Sequence, residues 1–229
     1  MKIFNKTPTI KISKTIKTTL IISMVVILLG FLGLYIYTSY TQEFKIFPAN
    51  VGSQSFSVAW SSEKQRRGCV IAIPQKNIKN IKILCQKEDK SNIHLLNFKN
   101  AIPDTIYKVF YINGLHIVIP NISSVITAPI SEEQPPLPNP AYGSVINIYG
   151  AKAKNALVLL TAQTSSFQYP LVTTTNNSGN YTLDLNGFKE LSDNFRLEAT
   201  FDGFIWNDKF VSADIVAPIP QITVTDYVK

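Results

Sequence analysis

The chain has 229 residues, a formal net charge of +7, two cysteines and two histidines. The positive charge is unevenly placed: a lysine-only tail and one basic segment carry it, so the overall basicity is no argument for a nucleic-acid-binding protein. No CxxC occurs and no histidine lies near either cysteine, which leaves zinc and thiol-redox motifs little support.

Residues 1–18 hold Lys2, Lys6, Lys11, Lys14 and Lys17 and no acid, and no charge follows until Glu43. Between them Leu20–Tyr37 reads LIISMVVILLGFLGLYIY. A run of about 20 helical residues crosses a hydrocarbon core, so residues 19–40 are predicted to be a single transmembrane helix. A lysine flank resists translocation, which places 1–18 in the cytoplasm and everything after about Thr41 outside it. A cleaved signal peptide has a shorter apolar core and a small-residue cleavage site. Here the run is longer and ends in Tyr35, Tyr37 and Tyr40, placed as an interfacial aromatic belt. No cysteine follows as in a lipoprotein, and Gly30 and Gly33 are not spaced as a GxxxG face.

About 185 residues remain, enough for two small domains or one large one. Gln54–Trp60, QSFSVAW, reads as apolar Phe56, Val58 and Trp60 alternating with polar partners, as in a half-buried strand. Cys69–Ile73, Ile78–Leu84, Ile93–Phe98 and Tyr107–Ile112 follow as short β-rich runs. Cys69 and Cys85, both in the exterior part, are either a disulfide between neighbouring strands or two buried free thiols. The basic stretch Lys64–Lys90 is a candidate site for an anionic polymer or lipid headgroup through Lys64, Arg66, Arg67, Lys76, Lys79 and Lys82. The competing reading is a solvated lysine face that protects a sheet edge.

Ser131–Pro140, SEEQPPLPNP, has four prolines and no apolar periodicity, and reads as an extended semi-rigid linker. Beyond it come the strand-like runs Gly143–Ile148, Ala156–Thr164, Leu171–Thr175, Tyr181–Leu185, Phe195–Phe201 and Ile222–Thr225. Turn signals at Asn176-Asn177-Ser178-Gly179, Asn186-Gly187 and Asp202-Gly203 separate them; Gly187–Asn194 has room for one helical turn. Many short strands between regular turns predict an all-β chain.

Two resemblances sharpen this. Pro48–Val51 followed by Gln54–Trp60, and Pro103-Asp-Thr-Ile-Tyr107, resemble a fibronectin type III domain over residues 44–130. That implies a core tryptophan at Trp60, and at Tyr107 a hydroxyl bonding back to the upstream chain. Ala141–Gly150, Asn155–Leu160 and Thr173–Leu183 resemble a carboxypeptidase-regulatory-like or transthyretin-like β-sandwich over 141–229. The implied architecture is two Greek-key, immunoglobulin-like β-sandwiches in tandem after the transmembrane helix, with 131–140 as linker. This order resembles anchored surface proteins of bacteria.

Catalysis needs a base or nucleophile with an oriented partner. His94 and His116 each sit in strand-like sequence with no nearby Ser or Cys motif. Asn176, Asn177 and Asp184 do not match the spacing of a calcium loop. The sequons at Asn121, Asn176 and Asn180 matter only in a eukaryotic secretory pathway. The expectation is a non-enzymatic, single-pass surface protein without cofactor or metal. It displays two sandwiches to an unknown surface protein or glycan, with nucleic acid disfavoured as a partner. The alternatives are a structural subunit of a cell-envelope assembly and an accessory module for a separate hydrolase.

Overall fold

The computed structural model describes residues 22–30, 33, 46–87, 91–113, 116–118, 124–132, 136–201 and 206–225. The chain divides into two units, Met1–Glu43 and Phe44–Lys229. In the first, residues 22–30 are helical with exposed apolar side chains. Among the described residues no helix is long and apolar enough to cross a membrane. The lysine tail and residues 19–21, 31–32 and 34–40 of the predicted span lie outside the described residues.

The second unit is built of β-sheets. Its first half holds β1 (Ile46–Ala49), β2 (Ser55–Arg66), β3 (Gly68–Pro74), β4 (Lys82–Cys85), β5 (Ser91–Lys99), β6 (Ile106–Asn113), β7 (His116–Val118) and β8 (Ser124–Ile126). One sheet runs β1-β2-β5; the facing one runs β4-β3-β6-β7, with β8 also on β6. Strand side chains alternate between faces, so Phe56, Val58 and Trp60 of β2 point into the same core as Val70, Phe98 and Tyr111. The Trp60 indole lies between the His94 ring, 4.5 Å away and parallel within 8°, and Tyr111 at 4.7 Å. Ile78–Leu84, expected as one strand, divides in two. Asn77 Oδ1 accepts from the Lys79 N–H at 3.1 Å and caps a 3-10 turn at Ile78–Asn80, so the strand starts only at Lys82.

Gly68 is where the tryptophan constrains the opposite sheet. A Cβ built on Gly68 would lie 2.1 Å from Trp60 Cζ2. Neither the buried indole nor the strand backbone has room to give. We expect Gly68→Ala to lower unfolding stability by about 2 kcal/mol, the range of overpacked cores. Urea unfolding at neutral pH measures this, and a loss below about 0.5 kcal/mol, as at ordinary surface sites, would show that the indole is not held against the strand.

The second half holds β9 (Pro140–Asn147), β10 (Leu157–Ala162), β11 (Leu171–Thr174), β12 (Asn180–Asp184), β13 (Asn194–Thr200), β14 (Asn207–Ser212) and β15 (Ile222–Val224). Its sheets run β11-β10-β13-β14 and β12-β9-β15, the β9–β15 pair being parallel. Val158, Leu160, Phe195, Leu197, Tyr181 and Val224 meet between them. The turn into β12 uses Gly179 at φ 72°, and a Cβ there would meet the Val145 carbonyl at 2.6 Å. β14 was not foreseen: it opens Asn-Asp-Lys, and only Val211 of its six residues is buried. The expected turn within Gly187–Asn194 falls earlier, as a 3-10 turn at Leu185–Gly187 capped by Asp184.

A third core joins the two sandwiches. Ala49, Ala59 and Ile93 of β1, β2 and β5 pack against Leu157, Leu159 and Val172 of β10 and β11, with Phe47, Leu95 and Trp206 against them. The β1-β2-β5 sheet is therefore covered on both sides, and β2 is not the half-buried strand its alternation suggested. Ser57, Ala59 and Ser61 are at most 4% exposed; they are the small residues that let two sheets approach. Asn50, in the left-handed region at φ 49°, completes the junction. Its Nδ2 donates to Val172 O at 2.8 Å, its Oδ1 accepts from Val172 N at 2.9 Å, and its own N–H donates to Pro170 O at 3.0 Å. One side-chain amide thus stands in for a neighbouring strand at the edge of β11. The C-terminal end of the linker is held too: Asn186 Nδ2 donates to Leu137 O at 2.7 Å and Asn139 N donates to Asp184 Oδ1 at 3.1 Å. Residues 133–135 of the linker lie outside the described residues.

Candidate functional site

The basic stretch does not come together as one site. Arg66 ends β2 and Arg67 joins it to β3, and Gln86 N donates to Gly68 O at 3.0 Å, so the β4–β5 connection with exposed Lys87 lies at this same end. Arg67 is exposed, whereas the side chains of Lys64 and Arg66 lie outside the described residues. Lys76, Lys79 and Lys82 are at the other end of β3, about 20 Å along a seven-residue strand. Two of those are occupied. Lys82 Nζ donates to the carbonyls of Lys99 and Asn100, each at 2.7 Å, and Lys76 Nζ donates to Asp104 O at 2.8 Å and meets its carboxylate at 3.4 Å. They tie down the β5–β6 turn, where Asn100 and Asp104 adopt positive φ. Lys79 is exposed.

Cys69 and Cys85 are register partners on neighbouring strands with an S–S distance of 2.08 Å. The bridge pins the short edge strand β4 to β3. Labelling the unfolded, unreduced protein with a thiol reagent should modify neither cysteine; modification of both would rule the bridge out. Tyr107 is fully buried and its hydroxyl oxygen accepts from Ile102 N at 2.7 Å.

The disulfide lies on a sheet face of unusual character. Antiparallel sheets with one solvated side normally carry polar residues there. On this outer face Ile83, Ile71 and Phe110 are aligned across β4, β3 and β6, and Cys85, Cys69 and Ile112 form the next row. Their alternates Val70, Ala72, Val109 and Tyr111 fill the core. Ile83 is 62% exposed and Ile81, just before β4, 45%. The sequence carried the signal in Cys69–Ile73, an unbroken apolar run of the kind found in strands buried on both faces.

One arrangement has the form of catalytic chemistry. Ser62 Oγ donates to His94 Nε2 at 3.3 Å, and His94 Nδ1–H donates to Gln86 Oε1, which fixes the neutral tautomer. Ser62 is 2% exposed and His94 fully buried beneath Trp60, so no substrate reaches the pair. Burial, opposed by a weaker backbone hydrogen bond at Ser91, pushes the His94 pKa down to about 4. The group is a neutral histidine closing one end of a core. Tyr181 in the second sandwich is likewise held protonated by burial, which pushes its pKa up. The side chain of His116 lies outside the described residues.

Of the turn residues considered for calcium, Asn176 and Asp184 each have a side-chain oxygen engaged by backbone N–H groups. Asn176 Oδ1 accepts from Ser178 N at 2.8 Å and Asn180 N at 3.1 Å, and Asp184 Oδ1 accepts from Asn139 N and Asn186 N, each at 3.1 Å. Where the sandwiches meet, Val51, Ile126, Pro129 and Phe167 line a groove of about 350 Å³. Ile126 N donates to the Tyr169 hydroxyl across it at 3.1 Å, and the Phe167 ring, 71% exposed, stands edge-on to Tyr169.

No protein-family model matches this chain, and no curated protein matches it. Among solved structures it is similar to the sensor domain of the anti-sigma factor RsgI4 of Pseudobacteroides cellulosolvens, at 10% identity over 38% of this chain and 95% of that one, with a TM-score of 0.29. A two-domain fibronectin type III segment of chicken tenascin matches at 12% identity over 75% of this chain and 98% of that one, TM-score 0.26. BcpA, the major pilin subunit of Bacillus cereus, matches at 9% identity over 81% and 70%, TM-score 0.23. Likenesses at these scores carry no argument, and the all-β architecture stands on the chain's own strands.

Proposed function

We propose that this chain is a non-enzymatic, membrane-anchored surface module in which residues 20–37 hold two fused β-sandwiches at the outer face of a cell membrane. In this reading the first sandwich is fibronectin type III-like and the second carboxypeptidase-regulatory-like, and together they present loops and sheet faces to a surface protein or glycan. The observation that carries it is the third core, Ala49, Ala59 and Ile93 against Leu157, Leu159 and Val172. Two sandwiches on a hinge suit a flexible reach between partners; two sandwiches sharing a packed apolar layer suit a stiff spacer that holds a surface at a fixed distance. The lysine tail and the uncharged run from Thr18 to Gln42 support the anchor and its orientation.

Protease added to intact cells, after permeabilising any outer envelope, should digest both sandwiches and leave a short N-terminal fragment protected. A C-terminus protected until lysis would reverse the orientation. A pull-down from detergent-solubilised membranes separates the roles. Retention on matrix or glycan supports adhesion, a stoichiometric envelope partner supports an assembly subunit, and a co-purifying hydrolase supports an accessory role.

A further inference from the structure

The two outer sheet faces of the first sandwich differ. The β1-β2-β5 face is covered by the second sandwich. The opposite one, on β4-β3-β6, presents Ile83, Ile71, Phe110 and Ile112 beside the disulfide. Around it lie the exposed basic residues Lys79, Lys87 and Lys108. Lys82 and Lys76 are not available to a ligand in the same way, because their amines already bind backbone carbonyls.

We infer that this face docks onto the anionic surface of the lipid bilayer, with Ile81 and Ile83 entering the headgroup region and Lys79, Lys87 and Lys108 against lipid phosphates. The inference rests on the anchored reading above. An apolar surface rimmed by cations gains from a membrane twice, through burial of apolar area and through attraction to acidic headgroups. Charge decides between this occupant and a second copy. Two identical cation-rimmed faces repel when brought together, whereas an acidic bilayer complements them. The charge partition agrees: residues 44–130 carry eleven basic side chains against Glu63, Glu88, Asp89 and Asp104, whereas 139–229 carry more acidic than basic ones. Only residues 38–45 separate the apolar run from β1. A connection that short spans at most about 28 Å, so an anchored first sandwich meets the bilayer surface at high effective concentration.

The test places the full chain, one copy per lipid nanodisc, in discs of phosphatidylcholine alone or mixed with phosphatidylglycerol, and follows amide hydrogen exchange. Exchange across residues 78–85 and 106–112 should slow several-fold in the acidic discs at low salt. It should return to the phosphatidylcholine level in high salt and in Ile83→Glu, with β13 and β14 unchanged throughout. Because Ile83 is on the outside, Ile83→Glu should keep the near-ultraviolet dichroism of the parent; if it does not, Lys79→Glu combined with Lys108→Glu gives the same reading from the charged rim. Equal exchange in both lipids would overturn the inference while leaving the anchor intact. So would protection that ignores lipid charge and appears only in a second preparation loaded with two chains per disc, which would assign the face to a second copy. A chain that elutes apart from the discs would overturn the anchored reading, and this inference with it.

Discussion

Replacing Leu157 with alanine should lower the unfolding free energy by about 3–4 kcal/mol, the largest single-residue effect expected outside the two sandwich cores. Leu157 is fully buried, yet it does not point into its own sandwich: Val158 and Leu160 do, while Leu157 and Leu159 meet Ala49, Ala59 and Ile93. Truncation loses the transfer energy of the side chain and leaves a cavity between two sheets that cannot easily close on it. Buried Leu→Ala changes of this kind cost about 2–5 kcal/mol. Ile83→Ala removes a similar side chain from an exposed position and should stay within about 0.5 kcal/mol. The pair, measured by urea unfolding, separates real burial from mere apolarity. A loss below about 1 kcal/mol at Leu157 would mean that the sandwiches only touch.

The second large effect is on pH. His94 has a folded pKa of about 4 against an ordinary value of 6.5, with desolvation by burial as the main cause. Between those values the unfolded chain binds a proton that the folded chain does not, so stability falls as pH drops through 6.5 and levels off below about 4. Each pKa unit is worth about 1.4 kcal/mol, which makes the full loss about 3 kcal/mol. The contribution is complete above pH 6.5. His94→Gln keeps a polar group near Ser62 and Gln86 without the proton. The drop in stability between pH 7 and pH 4 should be smaller in that variant by about 3 kcal/mol, whatever it costs at pH 7. An identical drop in both would mean that the ring is not held neutral.

Much of the architecture was readable because it rests on local patterning. Phe56, Val58 and Trp60 repeat at the strand period, and Asn176 to Gly179 has turn chemistry whose hydrogen bonds close within five residues. The third core was not readable in the same way. In β2 it uses Ser57, Ala59 and Ser61, which look like the solvent side of an amphipathic strand and are instead small enough for sheet packing. Ala156–Leu160 did carry a hint, since an unbroken apolar run suits a strand buried on both faces. What it packs against depends on long-range pairing that no local window contains. β14 escaped because an edge strand needs few buried residues. The layout of the basic stretch was not readable because neighbours in sequence are not neighbours on a hairpin: Arg67 and Lys76 flank β3 at opposite ends, and Lys76 and Lys82 turn back to cap carbonyls. The apolar outer face of β4-β3-β6 emerges only once the registers of three strands are known.

The third core makes the two sandwiches one body. Differential scanning calorimetry of the full chain in detergent micelles tests it most directly, because a shared core couples the unfolding of both halves. The expected result is a single transition for Phe44–Lys229 whose calorimetric and van't Hoff enthalpies agree, and which Leu157→Ala moves to lower temperature or splits in two. Two separable transitions in the unmodified protein, with Leu157→Ala shifting only the one that belongs to the second sandwich, would contradict it.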